Sequence, residues 1–448
     1  MRILLVAYEF PPSRSPRALR WRYLARELAL LGHEVHVLVP DLGAAGIEFP
    51  QEPGCVKVHV VFPGPVGWLV QTSRRRHAHS GGAGHGAGTA TPGAGIGLNW
   101  RGRLVEGIKR IGGQVLFPDI RAEWTPWARR ALHDLLRASP PDVVVTSHEP
   151  ASTLPLGLYA HQRGFAWVAD LGDPVDAPYT PPRWRKRSRA LEKQVADQAD
   201  GVIVTTDATR DLLHGRHGID PERCAVLANG YDDRGHDERA ALQVPVDFDV
   251  NMLELLYAGR LYGYRDPTPL LRAVALTPGV RLTLVVPDPP TGGEAEIAAA
   301  ADGRVRVLGS MPHAQVLEMQ RRADILVNVG NRGLPAQIPA KLYEYLGFER
   351  PILHLDTGAD DAAAQWLRGF GRGWLCAAEV QALSALLAGL AQRKREGSLV
   401  EGLSLAPVAE YAHSARGRRL AILLEEAAAR HGQSSRGEAN GAVPGKSR

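Results

Sequence analysis

The stretch Arg2–Val39, RILLVAYEFPPSRSPRALRWRYLARELALLGHEVHVLV, decides the fold class. Two short apolar runs, Ile3–Ala7 and Val35–Val39, flank a segment with helical periodicity over about Ala18–Leu31. Short apolar strands that alternate with helices are typical of a parallel sheet covered on both faces. The stretch therefore predicts a strand–helix–strand unit of an α/β protein.

The alternation continues along the chain in two halves, which the polar stretch 231–252 separates. Further predicted strands are Val56–Val61, Val143–Thr146, Trp167–Ala169, Val202–Thr205, Leu253–Tyr257, Arg281–Val286, Val305–Leu308, Ile325–Val329 and Pro351–Leu355. At roughly 150 residues per domain, a chain of 448 residues has room for two or three domains. We therefore predict two Rossmann-like parallel-sheet domains joined by a polar linker.

The same pattern sets the predicted boundaries. We predict an N-terminal domain over 1–235, a C-terminal domain over 250–405, a terminal helix over 406–431 and a disordered tail over 432–448. The Gly-rich segment 77–97 carries too little apolar surface to order itself, so we predict a flexible loop there. This loop either covers a binding site or is a tolerated insertion.

The composition is that of a globular protein with a full core, at 44% hydrophobic and 23% charged residues. The three cysteines are scattered without metal-ligand spacing, which argues against a disulfide framework or a zinc site and for a reducing compartment. The first apolar run is too short for a signal peptide, and no stretch approaches the roughly 18 apolar residues of a membrane span. We expect a cytoplasmic protein.

The net charge of +5 favours anionic partners only mildly, but the segment 183–199, RWRKRSRALEKQVADQA, concentrates basic residues around one apolar helix face. Such a helix can rest on anionic lipid at the inner face of a membrane. The alternative is an ordinary solvated helix. No nucleic-acid-binding module accompanies the charge, so nucleic acid is not an expected partner.

Two arginines, Arg260 and Arg265, follow the predicted strand Leu253–Tyr257. In open α/β sheets, ligands bind beyond the carboxyl ends of the strands. A guanidinium group stays charged and offers a bidentate fork, which suits a diphosphate. The alternative interpretation is a pair of exposed loop arginines.

A third cation, Lys341, and the carboxylate of Glu344 begin the helix predicted after Pro339. A helix N-terminus with a lysine favours an anion, and a carboxylate one turn later suits two ribose hydroxyls. The alternative is a solvated i, i+3 ion pair, which contributes only tenths of a kcal/mol. Together with the two arginines, these residues indicate a nucleotide site.

The ordered set of motifs resembles GT-B-fold glycosyltransferases of the group-1, family-4-like class. The matching pieces are YEFPPSRSPRALRWRYLARELALLGHEVHVL (8–38), VLANGYDD (226–233), LYAGRLYGYRDP (256–267) and IPAKLYEYLGFERPIL (338–353). The resemblance covers most of residues 1–430. It implies two Rossmann-like domains that face each other across a cleft, and sugar transfer from a nucleotide-diphosphate donor to an acceptor bound by the first domain.

The resemblance also implies roles in the second half of the chain. Arg260 matches the arginine that neutralises the donor diphosphate and is one catalytic candidate, whereas Arg265 stands where a lysine is usual. Glu344 matches the carboxylate that holds the ribose, and Lys341 would approach the phosphates. Many members of the class carry another glutamate near the donor sugar, where this chain has Ala336.

In the first half, His148 follows the strand-forming run VVVTS and matches a histidine close to the donor sugar, which makes it the other catalytic candidate. Ser15, Arg17 and Arg20 are candidates for binding a phosphorylated acceptor; the alternative for the two arginines is an exposed position on the first helix. Asp173, in the loop ADLGDP (169–174), is a further candidate for acceptor contact.

No metal or cofactor is expected. The D-x-D sequence at 247–249 lies in the predicted linker rather than at a strand end, and cationic side chains can stabilise a departing diphosphate. We predict a metal-independent, retaining glycosyltransferase of carbohydrate biosynthesis, with a carbohydrate, lipid or small-metabolite acceptor. A nucleotide-sugar epimerase and a catalytically inactive nucleotide-binding relative stay open as alternatives. The first strand lacks a GxGxxG turn, which argues against a dinucleotide-dependent oxidoreductase.

Overall fold

The computed structural model describes residues 1–13, 15–42, 56–69, 72, 116–118, 120–178, 180–235, 239–288, 295, 301–333, 337–358 and 361–441. The predicted Gly-rich loop 77–97 and Ala336 lie outside the described residues, and so does the predicted tail beyond residue 441. The chain divides into two compact units. Among the described residues, the first unit comprises those within 1–82, 94–229 and 413–441, and the second comprises those within 230–412.

The first unit is built on a sheet of seven described strands, paired in parallel throughout. In chain order they are β1 Arg2–Ala7, β2 Glu34–Pro40, β3 Val56–Val61, β4 Val143–Ser147, β5 Ala166–Gly172, β6 Gly201–Val204 and β7 Cys224–Val226. Their spatial order is β3-β2-β1-β4-β5-β6-β7. The winding direction reverses between β1 and β4, which is where such sheets bind ligands.

Helices pack on both faces of this sheet. They are α1 Pro16–Leu30, α2 Thr125–Ala138, α3 Leu154–His161, α4 Pro182–Gln198, α5 Asp207–His217 and, from the end of the chain, α11 His413–Gly441. Along β1, Ile3 and Leu5 pack in one buried cluster with residues of α1 and α11, whereas Leu4 and Val6 pack in another with residues of α2 and α3. Strands buried on both faces explain the continuous apolar runs of the sequence.

The second unit repeats this architecture with six described strands, again all parallel. They are β8 Leu253–Ala258, β9 Val280–Val285, β10 Val305–Leu308, β11 Ile325–Val329, β12 Ile352–Asp356 and β13 Gly373–Ala377. The helices are α6 Thr268–Leu276, α7 His313–Arg322, α8 Ala340–Tyr345, α9 Ala362–Arg368 and α10 Val380–Arg395. The order β10-β9-β8-β11-β12-β13 reverses between β8 and β11. The prediction of two parallel-sheet Rossmann-like domains is confirmed.

The structure also differs from the sequence-based boundaries. The stretch 231–252, predicted as a linker, belongs to the second unit, where Tyr231 donates its N–H to Tyr411 O at 3.0 Å. The terminal helix belongs to the first unit and runs over His413–Gly441, beyond the predicted end at 431. Strands β7 and β13 were missed because CAV is only three residues long and GWLCA contains no β-branched residue.

Within the described part of the chain, no helix combines the length and the apolar character that a membrane crossing requires. The basic helix α4 uses several of its arginines locally. Arg189 Nε donates to Asp176 Oδ2 at 2.6 Å, and the Arg187 guanidinium lies 4.6 Å from the ring centroid of Phe117. Contact between this helix and lipid stays a prediction.

Two helical glycines of the first unit give a matched pair of expected stability changes. A Cβ at Gly157 in α3 would lie 2.0 Å from Trp167 Nε1, which is buried and donates to Thr146 Oγ1 at 2.9 Å. We expect Gly157→Ala to lower the free energy of unfolding by about 1–3 kcal/mol through overpacking. A Cβ at Gly215 in α5 has no described heavy atom within 4 Å. Gly215→Ala should raise that free energy by about 0.5–1 kcal/mol, and urea unfolding of both variants checks the opposite signs.

Candidate functional site

The loop after β8 begins the candidate site of the second unit, at the point where the winding of the sheet reverses. Gly259 has φ +130°, a conformation that other residues rarely adopt. Burial raises the pKa of Tyr257 to about 12, so its hydroxyl stays protonated and donates to Arg260 O at 3.0 Å. This contact fixes the backbone from which the Arg260 side chain projects.

The Arg260 side chain is about one quarter exposed and has a long ion pair with Asp288, with Nε 3.6 Å from Oδ2. Arg265 is held more firmly, because its Nε donates to Asn331 Oδ1 at 2.6 Å and its Nη1 donates to Arg260 O at 3.3 Å. Asn331 lies in the loop after β11, on the other side of the reversal point. Both predicted arginines therefore lie at the expected edge of the sheet.

Lys341, in α8, has an unusual environment. Its Nζ lies 3.5 Å from the ring centroid of Tyr257, and a Cβ at position 259 would be 3.0 Å from Nζ, so Gly259 leaves room for the ammonium group. This Nζ is buried and forms no hydrogen bond with any described residue. The interpretation of Lys341 as a member of a solvated ion pair is therefore wrong.

The environment of Lys341 shifts its proton equilibrium. Burial lowers its pKa well below the ordinary value of 10.5, the charge of Arg265 lowers it further, and Glu344 acts in the opposite direction. A buried ammonium without a hydrogen-bond partner carries a large desolvation cost. An anion that reaches Nζ would offset this cost and restore the charge, so the geometry suits a phosphate oxygen.

The lowered pKa predicts a pH dependence of stability. Above the folded-state pKa of Lys341 and below about 10.5, the unfolded chain binds a proton at this position that the folded chain does not. The free energy of unfolding should therefore rise with pH across this window, relative to a Lys341→Met variant. Urea unfolding of both proteins at a series of pH values measures the difference. A difference that does not change with pH would contradict the lowered pKa.

Glu344 is positioned by α7. Its Oε2 shares a hydrogen bond with His313 Nε2 at 2.7 Å, and its Oε1 accepts one from Gln320 Nε2 at 2.7 Å. Both carboxylate oxygens are therefore oriented by side chains of α7. Glu344 therefore contacts α7, whereas Lys341 contacts the β8 end. The helix that carries both is only six residues long, so its dipole adds less than the side chains do.

A small surface pocket lies beside Glu344. One wall comes from the VLANGYDD segment, where Arg239 Nη1 donates to Asp232 Oδ2 at 2.7 Å, and another comes from α8 and the turn after it. Two of the motifs singled out from the sequence thus meet in the folded unit. The lining residues are Tyr231, Asp232, Arg239, Leu317, Glu344, Gly347 and Phe348.

In the first unit, His148 follows β4 at the corresponding reversal point and is buried, with 5% of its surface exposed. Its Nδ1 lies 2.7 Å from Leu171 O, a contact that requires a proton on Nδ1. In the neutral ring, Nε2 is then the nitrogen with a free lone pair. This geometry suits a hydrogen-bond acceptor or a general base in a fixed orientation.

Arg20 differs from both sequence interpretations, because it is neither exposed nor available to an acceptor. Its side chain is 3% exposed, and its guanidinium binds Asp170 together with the carbonyl oxygens of Ala228 and Leu227, at 3.0 and 2.9 Å. Sequence periodicity could not reveal this, since Asp170 lies 150 residues away along the chain. Arg20 joins α1 to β5 and to the end of β7.

Arg17 is also engaged within the unit. Its Nη1 donates to Asp170 Oδ2 at 3.1 Å and its Nη2 donates to Leu171 O at 2.7 Å, beneath Gly172, where a Cβ would lie 1.3 Å from Nη2. Ser15 caps α1, since its Oγ accepts from Ala18 N–H at 3.1 Å. Asp173 follows the carboxyl end of β5. Arg17 is thus not an exposed helix residue, and its contact with a phosphorylated acceptor stays a prediction.

The D-x-D sequence is not arranged as a metal site by the residues described. Asp249 Oδ2 lies 3.8 Å from Arg281, and the backbone oxygen of Asp247 accepts from Arg306 Nη1 at 2.8 Å. The sequence analysis missed Tyr257, Gly259 and Asn331. Only Gly259, directly before the arginine, left a signal in the sequence, as a glycine at a strand end.

Residues 18–230 match the model of the glycosyl transferase 4-like domain, which confirms the family resemblance for this part of the chain. D-inositol 3-phosphate glycosyltransferase of Mycobacterium tuberculosis H37Rv is 35% identical over 182 residues. These cover 38% of this chain and 35% of the relative, so the match spans about a third of the length of such curated relatives.

Solved structures with the same fold cover nearly the whole chain. Sucrose-phosphate synthase of Thermosynechococcus elongatus has a TM-score of 0.58 at 16% identity, covering 99% of this chain and 100% of its own. HepE of Anabaena in complex with UDP-glucose has a TM-score of 0.59 at 14% identity. The match covers 95% of this chain and 99% of HepE. UDP-GlcNAc 2-epimerase of Neisseria meningitidis has a TM-score of 0.53 at 10% identity. The match covers 95% of this chain and 100% of the epimerase. The predicted GT-B fold is confirmed.

Proposed function

We propose that this protein is a glycosyltransferase that moves a sugar from a nucleotide-diphosphate donor, bound by the second unit, to an acceptor bound by the first. The observation that carries the proposal is the buried ammonium of Lys341, which lacks a hydrogen bond from the described residues and lies beside Arg265. A diphosphate supplies the charge and the acceptor oxygens that this environment requires. The matched glycosyl transferase 4-like domain supports transfer over the other chemistries of the fold.

Each donor-site residue then has a distinct role. Arg260 projects from the fixed turn after β8 and neutralises the diphosphate as it departs. Lys341 binds the same phosphates from the other side of the reversal point, and Arg265, held by Asn331 from that side, binds them as well. Glu344, oriented by His313 and Gln320, accepts hydrogen bonds from the ribose hydroxyls at the edge of the neighbouring pocket. UDP is the first nucleotide to test, because HepE was solved with UDP-glucose.

The proposed reaction is retaining and needs no metal. Three cationic side chains stabilise the charge that develops on the leaving diphosphate, which is the electrostatic contribution that a metal ion makes in other transferases. His148, with its Nδ1 proton held by Leu171 O, contacts the donor sugar or the attacking hydroxyl through Nε2. Asp173 and the loop at Ser15 contribute to the acceptor side. The acceptor is a carbohydrate, a lipid or a small metabolite, and we propose that the reaction is cytoplasmic.

An assay with sugar-labelled UDP-, GDP-, ADP- and TDP-glucose tests this function directly. Each donor is incubated with a panel of carbohydrate, lipid and phosphorylated small-molecule acceptors, without added metal. Label in a new sugar conjugate supports transfer. A donor whose sugar has changed configuration, without a conjugate, would instead identify the epimerase alternative. A nucleotide that binds while every donor stays intact would favour the inactive alternative.

A further inference from the structure

Three distant segments of the first unit bring two histidines and an aspartate together, away from the candidate site. His161 is the last residue of α3, Asp200 directly precedes β6, and His431 lies in α11. Asp200 therefore lies at the amino end of its strand, the edge opposite to the strand ends at which His148 and Asp173 lie. One nitrogen or oxygen from each side chain lies within 4.8 Å of the other two.

The distances match a metal coordination sphere. His161 Nδ1 lies 3.2 Å from Asp200 Oδ2, and His431 Nδ1 lies 3.2 Å from the same oxygen. Ligand atoms at about 2.0–2.1 Å from a tetrahedral zinc ion are roughly 3.3–3.4 Å apart, since each pair spans one edge of the tetrahedron. The spacing of the nitrogen and oxygen atoms is thus close to that of ligands that share one ion.

The cluster is partly buried, and its carboxylate is held by the backbone. His161 Nδ1 is buried and lies 3.2 Å from Asp200 Oδ2. The Asp200 carboxylate is oriented independently, because its Oδ2 accepts the backbone N–H of Trp167 at 2.8 Å. Such an outer contact is what fixes a metal-binding carboxylate in place.

We propose that His161, Asp200 and His431 form a Zn²⁺ site with three protein ligands, and that the ion fastens α11 to the sheet of the first unit. Imidazole and carboxylate are established zinc ligands, and water completes the tetrahedron. Asp200 and His431 lie 231 residues apart along the chain. The buried residues Leu420, Leu424 and Ala427 secure the first half of α11, and the ion adds a fixed point after them.

The test is zinc binding to the full chain, freed of metal and titrated with Zn²⁺ against a chromophoric chelator. We expect one tightly bound ion per chain and a higher midpoint of thermal unfolding with Zn²⁺. His161→Ala and His431→Ala should each weaken binding by at least the roughly 10- to 100-fold that loss of an outer-shell partner costs. His133→Ala is the matched control, because its Nδ1 contacts Tyr159 OH at 3.2 Å in the same unit, outside the cluster.

Asp200→Asn keeps the size of the side chain and removes its charge, so it serves as the second variant if an alanine variant does not fold. Co²⁺ gives a further readout, because its visible spectrum reports tetrahedral coordination by imidazole. Zinc that binds wild type no better than the Asp200→Asn variant would overturn the proposal, as would unchanged binding after His431→Ala. Either result would leave the cluster as an ordinary hydrogen-bonded group. The result does not depend on whether the protein transfers a sugar.

Discussion

Arg260→Ala is expected to lower the rate of sugar transfer by about 10²- to 10³-fold, the loss that follows removal of one preorganised group that stabilises developing charge. The Arg260 guanidinium is partly exposed, and its backbone is fixed by the Tyr257 hydroxyl. Its ion pair with Asp288 is long, with Nε 3.6 Å from Oδ2. Initial rates with the preferred donor, at saturating acceptor, measure the effect.

The control is Arg272→Ala, which removes an exposed arginine of α6 in the same unit. This variant should transfer sugar at nearly the wild-type rate, because its charge lies on the helix surface. The Arg260→Ala substitution must also leave the fold intact. Thermal unfolding of the variant without ligand checks this. A parental transfer rate in Arg260→Ala would remove Arg260 from the proposed mechanism.

Arg20→Ala is expected to lower the free energy of unfolding of the first unit by about 3–5 kcal/mol, as happens when one partner of a buried ion pair is removed. Asp170 is fully buried, and after the substitution it keeps its ion pair with Arg17 but loses the one with Arg20. The substitution also removes the donor to the carbonyl oxygens of Leu227 and Ala228. Urea unfolding, followed by tryptophan fluorescence, measures this loss.

Arg210→Ala provides the matched comparison, since Arg210 pairs with Asp207 and Asp211 at 2.8 and 3.2 Å on the exposed surface of α5. Exposed ion pairs contribute roughly 0.2–1 kcal/mol, so this variant should unfold almost as wild type does. An equally small effect of Arg20→Ala would show that the buried network does not stabilise the unit. Arg20 would then be available for the acceptor role first inferred from the sequence.

The parallel sheets were predictable from sequence because their central strands are buried on both faces. Continuous runs such as Ile3–Ala7 and Leu253–Tyr257 leave few other structures open. Strands β7 and β13 lack this signal, because CAV has only three residues and GWLCA contains no β-branched residue. The packing of α11, at the end of the chain, against the first unit was missed for a different reason. Its apolar residues show that it packs, but not against which sheet.

The candidate site was predictable in its position but only partly in its contacts. Strand ends locate Arg260 and Lys341, since the geometry of parallel sheets brings these ends to one edge. The sequence does not show that Lys341 lies on Tyr257, because that contact depends on how α8 packs against β8. Arg20 was misread for the same reason. Burial by a partner far along the chain leaves no local pattern.

The most direct test of the account is thermal unfolding of wild type and Lys341→Met, with and without UDP, GDP, ADP or TDP and with no metal added. The buried ammonium destabilises the free protein, so the variant alone should be more stable, by about 1–3 kcal/mol. One nucleotide, at about 100 times its Kd, should stabilise wild type by roughly 2.7 kcal/mol. The same nucleotide should bind the variant about 10- to 100-fold more weakly, the loss of a charge-assisted hydrogen bond. Equal stabilisation of both proteins, or none of wild type by any nucleotide, would contradict a diphosphate site at Lys341.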